Sequence, residues 1–403
     1  MKRKKIDHNI PLDLVVEILI RLPTKSVIKF KSVSKIWLSI IVSRVFIESF
    51  ASISSTRPRF LVTFTNGIYG KREEKRLFFF SSSQEEGPES AIHYMTLPNP
   101  GVSTNNGSCA SVHGFMGCQI SPGFIICNPS TRQVILLPIL PISHCVRPYI
   151  RSTCLCYDPV SDQFKAFSLF SPLQREHESH VQHLVLTLKG DKRNYSWRLI
   201  QGNFSIPPYY PVTTKICIRG KVYYGAWTPK FGMEPVIVCF DVGSEKLTFI
   251  KAHRDFLCWQ YEPILLEYKG KLASIIKNRW PFEVFDSFDF WVLEDVEKHE
   301  WSKHICAFPL SCWDNVWEGA LKMSFPGTNK AGELIIAPRY LQRQLGPFYI
   351  FYCNVETNNI RRVRLHGIAD DEEFRHSYGF GKTIPGFDDV YITPEHVENL
   401  RVL

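Results

Sequence analysis

The chain is predicted to be multi-domain, a small all-α module followed by an all-β propeller of six four-stranded blades. Three observations carry that reading: a strongly apolar helical segment at Leu12–Leu22, a change to strand texture after Arg59, and strands spaced in groups of four. In Leu12–Leu22 eight of eleven residues are apolar, and the exceptions Asp13, Glu17 and Arg21 fall four apart. At helical pitch these make one wet stripe, with Leu12, Leu14, Val15, Val16, Ile18, Leu19, Ile20 and Leu22 around the rest. A helix apolar on almost every side requires burial on almost every side, and the short basic segment around it holds too little chain to provide that. The sequence therefore reads as a docking module whose missing wall comes from a second polypeptide.

Within the module, residues 10–52, Pro11 opens the first helix and Leu22-Pro23 closes it. Thr24 reads as the cap of a second helix through Phe30. A third runs from Ser34 through Trp37 to Val42, and Phe46, Ile47 and Phe50 continue an apolar stripe. Residues 1–9 are a basic tail, and Ser54-Ser55-Thr56-Arg57-Pro58 marks a boundary.

From residue 58 to 400 short runs rich in Val, Ile, Phe, Tyr and Trp alternate with turn residues, as in Asn128-Pro129-Ser130-Thr131, Asp158-Pro159, Asp241-Val242-Gly243-Ser244 and Asn354-Val355-Glu356-Thr357. Four groups of four strands are expected at 153–200, 214–250, 262–305 and 320–365, with a less regular group over 109–137. Residues 59–97 supply three strands, and Asp389–Ile392 is the candidate fourth. Repeated four-stranded units closed by a terminal strand predict a propeller, in which no sheet edge is left open.

Connections alternate in length. Those within a group after its first and third strands are short, whereas 170–181, 201–213, 228–235, 251–261, 277–288, 306–319, 338–347 and 366–386 are long. In a propeller the long ones emerge on one face. They carry Tyr209, Tyr210, Phe231, His253, Arg279, His376 and Tyr378, and in particular Arg254, Trp259, Trp280, Trp313, Trp317, Arg339 and Tyr340. Aromatic and arginine side chains on long loops over a rigid ring suit a protein-binding face; gap-filling between blades is the alternative for any one of them.

Composition narrows the function. The net charge of +9 is concentrated in residues 1–57, where eleven Lys/Arg face four Asp/Glu, leaving +2 on the other 346 residues. A nearly neutral large domain argues against nucleic acid as partner, and the basic module suits an acidic one. No apolar run is long enough to cross a bilayer, and the first residues lack the apolar stretch of a signal peptide, so a nuclear or cytoplasmic protein without a membrane partner is expected. Lys2–Lys5 fits a nuclear import signal and fits a solvated tail equally. The twelve cysteines are scattered, several inside apolar runs, and read as reduced core residues.

No catalytic, metal or cofactor site is expected. His177-x-x-His180-x-x-His183 lacks a cysteine pair and enters a strand, which would send His180 and His183 to opposite faces. Cys154 and Cys156 share one face of a strand, a core pattern. Gly379-Phe380-Gly381-Lys382-Thr383 resembles the end of a phosphate loop, but position 376 is His where that loop needs Gly. Glu294-Asp295 and Asp370–Glu373 read as solvated turns.

The run Ile10–Pro23, continued by Thr24-Lys25-Ser26-Val27, Phe30–Lys35 and Ile36–Ile41, resembles the F-box motif over some 40 residues, with Ile10 and Ser32 as mild departures. The remainder is similar to the F-box-associated domain of a large plant family, a kelch-like propeller. The matching stretches are Cys127–Thr131, Tyr157-Asp158-Pro159, Gly220–Tyr224, Phe240-Asp241-Val242, Tyr268–Leu272, Phe290–Asp295 with Trp301-Ser302-Lys303, and Tyr352–Val355.

That resemblance implies a non-catalytic substrate-recognition subunit of a ubiquitin ligase. The F-box would bind a Skp-type adaptor and through it a cullin, and the propeller would hold an as yet unidentified target protein. Carried over residue by residue, the adaptor contacts are expected at Pro11, Leu12, Val15, Ile18, Leu19, Leu22, Pro23, Val27, Val33 and Trp37, with Phe30 and Ile40 assigned to internal packing. A propeller that binds a small ligand or glycan as receptor or scaffold is the alternative.

Overall fold

Four helices precede the first strand: α1 (Leu12–Leu19), α2 (Thr24–Phe30), α3 (Lys35–Ile41) and α4 (Arg44–Ser55). In this computed structural model the described residues are 10–66, 76–84, 87, 89–98, 110–120, 123–140, 149–172, 181–190, 192–200, 209–228, 234–253, 255–256, 264–277, 287–309, 323–341, 345–380 and 390–403. The Lys2–Lys5 run, His177, His180 and Gly381–Thr383 lie outside them. Ser34 caps α3 by accepting from the Trp37 amide at 3.1 Å, and Ser43 caps α4 by accepting from the Phe46 amide at 3.3 Å. The cap position of α2 is Pro23, which has no side-chain acceptor, and Thr24, expected as the cap, is instead the first helical residue. The last helix continues to Ser55, past the expected end at residue 52. No single described helix is long and apolar enough to cross a membrane.

The strands then follow in sequence order. The first blade receives β1 (Arg59–Thr65), β2 (Arg76–Ser83) and β3 (Ile92–Pro98); the second is β4 (Ala110–Val112), β5 (Phe115–Gln119), β6 (Phe124–Asn128) and β7 (Gln133–Leu136). The third is β8 (Tyr149–Asp158), β9 (Gln163–Pro172), β10 (Gln182–Thr187) and β11 (Arg198–Leu199). The fourth holds β12 (Tyr210–Pro211), β13 (Ile216–Ile218), β14 (Lys221–Thr228), β15 (Glu234–Asp241) and β16 (Leu247–Lys251). The fifth is β17 (Ile264–Tyr268), β18 (Lys271–Lys277), β19 (Ser287–Asp295) and β20 (Glu300–Ala307). The sixth is β21 (Met323–Thr328), β22 (Leu334–Pro338), β23 (Phe348–Asn354) and β24 (Asn359–Leu365). After a helix α5 (Glu372–Ser377), β25 (Val390–His396) returns to the first blade and pairs antiparallel with β1, Val62 opposite Ile392.

These six sheets form a six-bladed ring with β25, β4, β8, β13, β17 and β21 as the innermost strands, each next to the following one around the hub. Blades stack face to face, so both faces of a middle strand are covered, as in β5, β6 and β22, where every residue is buried. Six apolar clusters fill the six gaps; the one at the seam sets Phe60, Phe64 and Phe80 of the first blade against Ile335, Ile350 and Leu365 of the sixth. The short turns have a chemical cause. Asn128, Asp158, Asp241, Asp295 and Asn354 each accept backbone N–H bonds two or three residues ahead through a side-chain oxygen. His113-Gly114, Arg219-Gly220 and Lys269-Gly270 have positive φ at both residues, the geometry of a two-residue hairpin turn.

Three residues separate α4 from β1, and Arg59 stands opposite His396 at the short-turn end of the hub. The four-helix module therefore sits on the short-turn face, and the strand ends that lead into the long connections lie on the opposite face. One departure from the sequence reading is local: Asp371, Glu372 and Glu373 are exposed as expected, but Glu372 and Glu373 open a short helix instead of a turn. Asp371 caps α5 by accepting from the Phe374 amide at 2.6 Å, and Phe374 is buried in the seam cluster.

Candidate adaptor-docking surface

The helical module is built around Val15, Leu19, Ile20, Val27, Ile41, Phe46 and Phe50, with Val16, Leu22, Ile28, Phe30, Trp37 and Ile40 packed at its margin. The Phe30 and Trp37 rings lie 5.1 Å apart. On α1, Val15, Leu19 and Ile20 face this interior while Leu14 and Ile18, four apart, face solvent beside the charged stripe of Asp13, Glu17 and Arg21. Glu17 and Arg21 pair at 2.5 Å, an exposed contact worth little to stability.

The residues expected to meet an adaptor thus divide. Pro11, Leu12, Ile18, Pro23 and Val33 are exposed, with Leu12 at 54%, Ile18 at 52% and Val33 at 59%. Leu22 and Trp37 are half-buried. Val15, Leu19 and Val27 are corrected: at 5%, 1% and 0% exposure they hold the helices to one another and present nothing outward. An all-round apolar helix needed less outside help than its composition implied, because α2, α3 and α4 cover one side of it. Sequence reasoning missed Leu14, Ile36, Leu38, Val42 and Val45, all exposed. Their signal was the surplus of aliphatic residues in a module too small to bury them all.

A second contribution comes from the far end of the chain. After β25 the C-terminal residues cross the junction between helices and disc. Leu400, 2% exposed, belongs to the helical core. The Glu398 carboxylate accepts from the Thr24 backbone N–H at 3.1 Å and from the Tyr94 hydroxyl. Asn399 donates to the His113 carbonyl at 2.8 Å, Asn128 donates to the Asn399 carbonyl at 2.8 Å, and Arg401 pairs with Asp162 at 2.6 Å. No sequence pattern announced this segment.

Of the residues expected on the long connections, Arg254, Trp259, Trp280, Trp313 and Trp317, with Phe231 and Arg279, lie outside the described residues. Arg339 and Tyr340 are half-buried, the guanidinium 5.9 Å from the Tyr340 ring centre, and the Arg339 carbonyl accepts from Val390 at 2.7 Å where the closing strand begins. His253 stacks on Trp291 at 4.3 Å. Tyr209 belongs to the gap-filling class: it is 2% exposed between the third and fourth blades, bonded to His183 and, at 2.7 Å, to Tyr224. Tyr378 likewise packs on Phe78 and Phe80, each 5.1 Å away.

The titratable groups of the disc are structural in character. Burial pushes the His183 imidazole down to about 4 and the Cys154 thiol up to about 12, and raises Cys156 as well, so these thiols are poor nucleophiles. Among the described residues no group of His, Cys, Asp or Glu is arranged to hold a metal ion. The six inner strands surround a channel of about 660 Å³. Lys215 lines it, buried, donating to the Ser152 carbonyl at 2.9 Å and to the Ser152 hydroxyl at 2.5 Å, and desolvation lowers its amine to about 8.

A helical module with uncovered aliphatic side chains, seated on one face of a closed six-bladed ring, is the plan of a two-domain recognition protein. The sequence matches the F-box domain over residues 8–49 and the F-box associated beta propeller domain over residues 60–394. From Arabidopsis thaliana, F-box protein At1g30790 is 59% identical with both chains covered in full. F-box protein DOR, from the same plant, is 33% identical, with 98% of this chain and 94% of that protein covered. This chain belongs to the plant F-box proteins that carry an F-box-associated β-propeller.

Proposed function

We propose that the protein is a non-catalytic substrate receptor of an SCF-type ubiquitin ligase, working in the nucleus or cytoplasm. Its helical module docks on a Skp-type adaptor, and through it a cullin, while the long-loop face holds a target protein. The observation that carries this reading is the set of aliphatic side chains, Leu12, Leu14, Ile18 and Val33, left uncovered on a module that already has its own core. Each is already about half covered, so removing the rest from water contributes about 1 kcal/mol, and several together work against the entropic cost of association. Transfer of ubiquitin then needs no chemistry from this chain; holding the target beside the ligase raises its effective concentration. Co-purification with a Skp-type adaptor tests the reading. The wild-type chain should capture the adaptor and the Leu14→Asp/Ile18→Asp variant should not; equal capture by both would remove the docking claim.

A second reading, a ring that takes a small ligand, is favoured by Lys215. Lys215 lines the channel with Ser152 as its hydrogen-bond partner and no carboxylate among the described residues paired with it, whereas Lys165, also buried, has Glu245. A thermal shift of the full chain on adding a small carboxylic acid, absent from Lys215→Met, would support it.

A further inference from the structure

Helix α2 begins without a cap of its own. Pro23 occupies the cap position and has no side-chain acceptor, and the Thr24 hydroxyl has no partner either. The first backbone N–H groups of a helix need acceptors from elsewhere, and a buried helix start without them is costly. Thr24 is fully buried, so water does not fill that role. The acceptor is Glu398, 374 positions along the chain, held in place from its other oxygen by the Tyr94 hydroxyl. A carboxylate there also complements the positive end of the helix dipole. Two residues on, Leu400 enters the helical core beside Leu19, Val27 and Phe50. The same short segment is fastened to the second and third blades through Asn399 and Arg401.

We propose that Glu398 and Leu400 are positioning residues for adaptor binding: the C-terminal segment 397–403 supplies the cap and the core residue that the F-box lacks, and so sets the α1–α2 corner in its docking form. This rests on the adaptor-docking reading above. Pro23, expected to touch the adaptor, directly precedes the capped amide, and the four residues 20–23 join it to α1, which carries Ile18. A corner that frays must be reordered on binding, and that cost appears as lost affinity. The C-terminus thereby tunes a contact it does not touch.

The test uses the full-length chain and a Skp-type adaptor, with calorimetric affinity and amide hydrogen exchange as paired readouts. Glu398→Ala should weaken adaptor binding by about tenfold, the size expected for a lost cap. It should also release protection at Thr24–Phe30 while leaving β14 protected. Glu398→Gln, which keeps an acceptor for Thr24, should restore both readouts to near wild type, and Leu400→Ala should repeat the Glu398→Ala pattern. Unchanged α2 protection in Glu398→Ala, or unchanged affinity despite lost protection, overturns the proposal. So does loss of protection spread equally through β14, since a cap acts locally. Failure of the wild-type chain to bind the adaptor would instead remove the docking reading, and exchange at α2 would still decide whether Glu398 caps the helix.

Discussion

Lys165 on β9 reaches across to the fourth blade, its Nζ 2.7 Å from the Val242 carbonyl and 3.2 Å from the Glu245 carboxylate. Both side chains are largely buried, but Glu245 also pairs with Arg198, and Asp158 lies 4.0 Å from Lys165, so each keeps a second partner when the other is removed. Lys165→Ala should lower stability by about 2 kcal/mol in urea denaturation, mainly through the unsatisfied Val242 carbonyl and the weakened carboxylate contacts, whereas the double variant Lys165→Met/Glu245→Met should lose less than that. A single-variant loss below about 0.5 kcal/mol would mean that the pair is no more than an exposed contact.

Acid should weaken the disc at mild pH. His183 and His396 are both held near 4 by burial, far below the ordinary 6.5, so both are neutral when folded. The unfolded chain takes up their protons first as pH falls below 6.5, and it alone binds them until about pH 4. Unfolding is therefore increasingly favoured across that window, by up to about 3 kcal/mol per histidine. A thermal midpoint series from pH 7 to 4 should show the drop, and His183→Gln should flatten it. An unchanged slope would show that His183 contributes nothing to it.

The split along α1 makes a sharper prediction than the motif alone. Ile18→Asp changes an exposed side chain and should abolish adaptor capture with the helical signal in circular dichroism retained. Leu19→Asp places a charge in the module core and should unfold the helices, losing capture for a different reason. If Leu19→Asp keeps its helices, the inward placement of Leu19 is wrong.

Most of the ring was legible because each strand is bounded by a local signal. Asn128, Asp241 and Asn354 mark turns whose chemistry is self-contained, and the blade spacing follows from them. Even β25 showed itself, through Val390-Tyr391-Ile392 at the expected place. What stayed hidden depends on distant partners. Asp370–Glu373 has the composition of a loop, and only the seam cavity around Phe374 makes it a helix start. Tyr209 has the composition of a binding loop, and only His183 and Tyr224 make it core. Val15 and Ile18 are equally apolar; which of them faces inward is decided by α2, α3 and α4, not by α1. Glu398 carries no local pattern at all.

Gly114 offers a test of the junction from the disc side. Its φ is +82°, and a Cβ there would lie 2.4 Å from the Val397 carbonyl oxygen. Gly114→Ala should cost about 1–3 kcal/mol and loosen the C-terminal segment, whereas Gly190→Ala, with the same sign of φ but open space, should cost only the backbone term. Equal losses in the two variants would show that the close approach to Val397 is immaterial.

The closing strand has a consequence for biosynthesis. The first blade waits for residues 390–396, so β1 lacks its inner neighbour until the other five blades have been synthesised. Helices α1 to α4 emerge before every strand of the ring but acquire Leu400 only after β25 has been made. Copies that stop short of residue 390 accordingly carry both an open ring and a helical core without Leu400.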